Sequence, residues 1–184
     1  MRFCYSDPPY PGQAAKHYIH HPDFAGEVPH NELIQQLEND YDGYLLHTSS
    51  TALREVLWLC DESVRVFAWV KPFAAFKRNV SPAYAWEPVI VKPLRKGEPN
   101  QSPDSPVMRD WFAEPITMKK GLTGAKPERV CHWLFEACGL RRDDELIDLF
   151  PGTGAVTDAW ESWRSSPSLL DIDTTLVSEI ERNV

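Results

Sequence analysis

Apolar residues along the chain fall into short continuous runs, separated by stretches in which they recur every three or four positions. That alternation is the signature of buried strands connected by helices with one apolar face. Arg2-Phe3-Cys4-Tyr5 reads as a first strand, and Asn31 to Tyr41, with Leu33, Ile34 and Leu37 on one side and His30 or Asn31 at the cap, as a helix that Gly43 ends. Tyr44 to His47 is a short buried strand, after which Thr48-Ser49-Ser50 supplies hydroxyls to cap a helix over Thr51 to Leu59. Val64 to Val70 is nearly continuous in apolar residues, as a strand covered on both faces should be, and Lys71-Pro72 closes it. Another strand follows from Glu87 to Lys92.

The second half repeats the pattern more loosely. Pro93 to Asp110 is rich in Pro, Ser, Gly and charge and has no apolar period, so it reads as a linker or excursion, from which Trp111-Phe112 and Ile116 to Met118 dock back on the body. Gly121 to Gly124 is a turn. Pro127 then sits in the first turn of a helix in which Val130, Trp133, Leu134 and Ala137 share a face, with Gly139 as its stop. Leu146, Ile147, Leu149 and Phe150 form a last buried run that breaks at Pro151-Gly152-Thr153-Gly154 into a helix beginning at Ala155. Alternating elements with mostly buried strands predict a three-layer α/β sheet, and in such sheets ligands sit at the carboxyl ends of the strands.

Two of those ends carry pointed chemistry. After the first strand comes Asp7-Pro8-Pro9-Tyr10. Two consecutive prolines fix φ twice and remove two backbone donors, leaving a stiff row of acceptors. Such a row suits a flat amino group: Asp7 and the Pro8 carbonyl each take one N–H of an exocyclic nucleobase amine, the nitrogen lone pair stays free to attack an electrophile, and Tyr10 can stack on the base. A proline-stiffened turn explains the same residues. At the other end of the chain, Asp148 closes a strand before the glycine turn Pro151 to Gly154, where missing side chains let the backbone approach a ligand and the carboxylate suits its hydroxyls or ammonium.

Composition narrows the setting. The 184 residues fit one domain, 1–184, in which 1–92 carries the Asp-Pro-Pro-Tyr end, 93–125 is a linker or excursion and 126–184 carries the glycine turn. No apolar run spans a membrane and Met1 leads straight into a strand, which points to the cytoplasm. Cys4, Cys60, Cys131 and Cys138 lack zinc-site spacing and read as buried thiols. His17, His20 and His21 lie in an irregular stretch, Pro11 to Pro29, that suits a substrate loop better than a metal site.

Net charge is −8 but unevenly spread. Arg65 to Lys96 holds seven basic residues against Glu87, whereas Asp143 to Val184 holds ten acids against two bases. The basic middle, with Phe73, Phe76, Tyr84 and Trp86, suits phosphates and unstacked bases, and equally a solvated loop.

In order and motif the chain resembles the S-adenosylmethionine-dependent amino-methyltransferases of nucleic acids, in the circular order with Asp7-Pro8-Pro9-Tyr10 first and the cofactor turn last. Within them it is similar to the small adenine-N6 or cytosine-N4 DNA methyltransferases of phages and bacterial restriction-modification systems. Gly124-Ala125-Lys126-Pro127 and Trp86-Glu87-Pro88 share in that resemblance. It implies a Rossmann-like sheet, S-adenosylmethionine as cofactor, no metal, and methyl transfer to the amino group of adenine, less readily cytosine, in DNA, with RNA also open. Asp7, Pro8, Pro9 and Tyr10 would be catalytic. Asp148, Phe150, Pro151, Gly152, Thr153, Gly154 and Lys126 would hold the cofactor, while Lys71, Lys77 and Arg78 would touch the nucleic acid. The family's sheet continues for two strands past its cofactor helix, but only about twenty residues follow Arg164, so the cofactor half looks truncated. Ser168 to Asp173 is the one strand they could supply, with Asp171 or Asp173 at the distance of a ribose-binding acid. A second copy or a catalytic partner is one answer to that shortage. Two other functions fit the same residues: a non-catalytic subunit that binds nucleic acid or a partner, and a small-molecule methyltransferase.

Overall fold

The computed structural model describes residues 1–14, 26–72, 80–92, 108–117 and 125–166. Its strands and helices, in chain order, are β1 (Arg2–Ser6), α1 (His30–Asp40), β2 (Gly43–His47), α2 (Leu53–Leu57), β3 (Arg65–Val70), β4 (Trp86–Lys92), β5 (Trp111–Ala113), α3 (Glu128–Ala137), β6 (Glu145–Asp148) and α4 (Ala155–Ser165). The strands form one sheet in the order β5-β3-β4-β2-β1-β6. β1 is parallel to both β2 and β6, β4 is antiparallel to β2 and β3, and β5 is parallel to β3.

The pleat explains the three layers. Successive strand residues point to opposite faces, and both faces are apolar. Phe3, Tyr5, Leu45, Val89 and Val91 turn toward α3 and α4, meeting Val130, Leu134, Phe135, Val156 and Trp160. Cys4, Tyr44, Leu46 and Ile90 turn the other way, against Leu33, Ile34 and Leu37 of α1 and Val56 of α2. Phe135 anchors the first layer, with its ring edge-on to Trp160 at 5.2 Å between centroids. All four cysteines are free thiols; three are buried and Cys60 is half-buried.

Several boundaries differ from the sequence expectation. α2 has five residues, because Thr51 and Ala52 belong to a turn in which Ser49 Oγ accepts the Ala52 N–H at 3.2 Å. Pro127 is the cap of α3, with extended backbone (ψ 137°), and lies just outside the first turn. β6 stops at Asp148, so Leu149 and Phe150 lie beyond the strand. Trp111-Phe112 does more than dock: it forms the edge strand β5, with Phe112 stacked on Trp133 at 5.6 Å. A three-residue strand flanked by irregular chain has too little period to be recognised. The expected segment Ser168 to Asp173 lies outside the described residues, as do His17, His20, His21, Phe73 and Phe76.

Candidate active site

β1 and β6 are hydrogen-bonded neighbours running in the same direction, with Tyr5 opposite Asp148. The ladder extends one step past β6, where the Leu149 N–H donates to the Tyr5 carbonyl at 3.1 Å. The Asp-Pro-Pro-Tyr turn and the glycine turn therefore leave adjacent strands at the same edge of the sheet. Pro8 is buried, and Asp7, Pro9 and Tyr10 are half-buried. The Tyr10 carbonyl accepts the Gln13 N–H at 2.9 Å, bending the chain away from the strand.

Beyond β6, Asp148 Oδ1 accepts the Phe150 N–H at 3.1 Å, a local bond that turns the chain out of the sheet. The second oxygen, Oδ2, is buried and has no hydrogen-bond partner among the described residues. Burial raises the Asp148 carboxyl above the ordinary aspartate value; the Phe150 N–H pulls it down, Asp7 pushes it up and Lys126 opposes, with a net rise. Gly152 and Gly154 both have positive φ, 48° and 79°, and a Cβ on Gly154 would meet nothing within 4 Å. Pro151 and Thr153 are exposed, whereas Phe150 packs toward the α1 and α2 layer. An unpaired buried acceptor beside an open glycine turn fits a ligand carrying an ammonium or hydroxyl group.

Under the Asp-Pro-Pro-Tyr turn lies a polar network drawn from β1, β2 and β4, the residue after β3 and the segment leading into α3. Lys126 Nζ is 2.5 Å from Asp7 Oδ2 and 3.3 Å from Glu87 Oε1. Lys71 Nζ donates to Glu87 Oε2 at 2.8 Å. His47 Nδ1 is 2.8 Å from Glu87 Oε1, and its Nε2 is 2.8 Å from the Tyr5 hydroxyl. Burial by itself would raise the Glu87 carboxyl, but attraction to Lys126, the His47 hydrogen bond and Lys71 outweigh it and hold the group well below the usual range. Lys126 shows the mirror balance: burial favours the neutral amine, yet Asp7 and Glu87 raise its proton affinity above that of a free lysine. Donor atoms of Asp7, His47 and Glu87 come within 4.8 Å of one another, close enough for a metal ion, but the Lys126 ammonium already bonds two of the three.

The structure thus brings Asp7, Lys126 and Asp148 to one edge, with Lys126 facing the Asp-Pro-Pro-Tyr turn. Lys71 also comes to this edge, paired with Glu87 over the ring of Trp69. Lys77, Arg78 and Asp171 lie outside the described residues. Sequence reasoning passed over Tyr5 and His47. Their partners are about forty positions away; the available signal was a histidine at the carboxyl end of a buried strand, where α/β sheets place their sites.

The mixed six-stranded sheet with helices on both faces matches the methyltransferase fold of two solved structures. Among solved structures the chain is similar to M1.HpyAVI in its complex with SAM, at a TM-score of 0.59 and 15% identity, over 89% of this chain and 78% of that one. It is also similar to M1.HpyAVI alone, at a TM-score of 0.54 and 15% identity, over 88% and 76%. No family model matches the chain, and no curated protein sequence does. Among the described residues, no helix is long and apolar enough to cross a membrane.

Proposed function

We propose that the chain transfers a methyl group from S-adenosylmethionine to the exocyclic amino group of adenine in DNA, with cytosine as the next choice. The observation that carries this reading is the pairing of β1 with β6, which sets an amine-accepting turn beside an unsatisfied carboxylate and an open glycine turn. The M1.HpyAVI complex shows that this fold can hold SAM.

The residues present fit the cofactor. Asp148 Oδ2 would take an ammonium or hydroxyl of the ligand, and Gly152 and Gly154 would let the backbone approach it. When bound, S-adenosylmethionine supplies an electrophilic methyl group. The chain's own part is to hold the amine: Asp7 and the Pro8 carbonyl accept its two hydrogens, which orients the nitrogen lone pair, and Tyr10 supplies an aromatic face for the base. A target inside a duplex must leave the stack to reach such a turn. Positioning then supplies much of the rate, since a bimolecular encounter becomes a held geometry.

The reading is tested by methyl transfer to DNA oligonucleotides containing adenine, cytosine or neither. Asp7→Ala is expected to lower the rate by about a hundredfold or more, the scale of losing a hydrogen-bonding group that acts in the transition state, while thermal unfolding stays cooperative. Retained activity in Asp7→Ala overturns the assignment. A non-catalytic subunit has one observation in its favour, the engagement of Asp7 Oδ2 by Lys126. It predicts a folded protein that forms a complex but transfers no methyl group.

A further inference from the structure

Tyr5, His47 and Glu87 are buried polar groups that the chemistry above leaves unused. A buried polar chain is costly unless every member is satisfied, and here the members are paired in series. The ionised Glu87 carboxylate can only accept, so His47 Nδ1–H points at Glu87 Oε1, while His47 Nε2 lies 2.8 Å from the Tyr5 hydroxyl. Glu87 therefore receives His47 and Lys126 on Oε1 and Lys71 on Oε2. Both lysines also lie over Trp69, Lys71 at 4.4 Å and Lys126 at 5.9 Å from the ring centroid.

We propose that Glu87 is a positioning residue for Asp7: fixed by His47 and Lys71, it holds the Lys126 ammonium, which clamps Asp7 Oδ2 and turns Oδ1 toward the substrate amine. The proposal rests on the reading of Asp7 as the amine acceptor. The backbone after β1 is stiffened by Pro8 and Pro9, so the torsions of the Asp7 side chain are the remaining freedom at this point. A lysine on a four-carbon stem would not set them unless its own end were held, and Glu87 bonds that same end. Two carboxylates, Asp7 and Glu87, also face two ammonium groups, Lys71 and Lys126. Removing the Glu87 charge would leave both ammonium groups against the single carboxylate of Asp7 and break that balance.

The experiment joins two readouts on Glu87→Gln, which keeps the side chain's size and removes its charge. In protein labelled with ¹⁵N-lysine, a buried ion-paired ammonium gives a resolved signal; Lys126 is assigned by its loss in Lys126→Arg. The signal is expected to shift or broaden in Glu87→Gln. In the methyl-transfer assay, kcat is expected to fall by about tenfold to a hundredfold, the scale of a small misplacement at a reacting centre, with KM for S-adenosylmethionine unchanged. A general loss of folding would instead lower the melting temperature and weaken both parameters. His47→Asn, one bond further out, should give the same pattern more weakly and serves if Glu87→Gln does not fold. An unchanged Lys126 signal, or an unchanged kcat, overturns the clamp. A wild-type protein inactive on every amine would overturn the reading of Asp7 itself, a failure visible without any variant.

Discussion

Asp148 has two carboxylate oxygens with different surroundings, and that difference makes its role testable. Oδ1 is bound to the Phe150 N–H, while Oδ2 is buried without a partner among the described residues. Its carboxyl is raised, chiefly by burial, so the negative charge is lost at a higher pH than in an ordinary aspartate at about 3.9. If the cofactor's cationic group is held by that charge, affinity should fall on acidification before ordinary aspartates protonate. A series of S-adenosylmethionine titrations from neutral to mildly acid pH measures this, and constant affinity down to pH 4 would remove Asp148 from the cation's contacts. Glu87 behaves oppositely in stability. Its carboxyl is depressed, so the stability it contributes is present above the unfolded-state value of about 4.3 and is lost only as pH falls through the lower folded value. At this scale the sequence was legible where chemistry was local. Asp7-Pro8-Pro9-Tyr10 and the Asp148 turn could be read as neighbouring residues, whereas Tyr5, His47 and Glu87 meet only when three strands align.

At the scale of elements, the turn from β6 to α4 depends on its glycines for different reasons from its carboxylate. Gly154 caps α4 in the left-handed region, φ 79°, and donates its N–H to the Pro151 carbonyl at 2.7 Å. Since a Cβ there meets no atom within 4 Å, Gly154→Ala carries a conformational cost alone, about 1–2 kcal/mol. Chemical denaturation should show a loss of that size with an unchanged slope; a loss several times larger would mean that the turn is packed and closed to a ligand. Long periodic elements were readable from sequence: α1, α3 and the apolar core of each long strand fall close to their expected positions. β5 was not, because three residues give no period, and its pairing with β3 is set by contacts such as Phe112 on Trp133. The end of α2 was also misread. Its apolar residues continue to Leu59, but Trp58 is largely exposed, so burial does not extend the helix.

Across the whole molecule, charge counted along the chain differs from charge in space. Of the seven basic residues between Arg65 and Lys96, Arg65 pairs with Asp110, Lys71 with Glu87 and Lys92 with Glu38. Those pairs neutralise much of the positive stretch that falls within the described residues; the other basic residues of the stretch, Lys77, Arg78, Arg95 and Lys96, lie outside them. The parallel β6-β1-β2 half instead brings the Asp-Pro-Pro-Tyr turn and the glycine turn to one edge, in a fold similar to that of M1.HpyAVI. S-adenosylmethionine binding at that edge is what the proposed function rests on. It is tested most directly by calorimetric titration of S-adenosylmethionine into the purified protein and into Asp148→Asn. Asparagine can keep the Oδ1 bond to Phe150 and replaces the unpartnered acceptor with a donor, so the fold should survive while the contact does not. Stoichiometric binding is expected for the wild type, with at least about a tenfold loss of affinity in the variant, the scale of a lost hydrogen bond to a charged group. Equal affinity in both, or no binding by a folded wild-type protein, would contradict it.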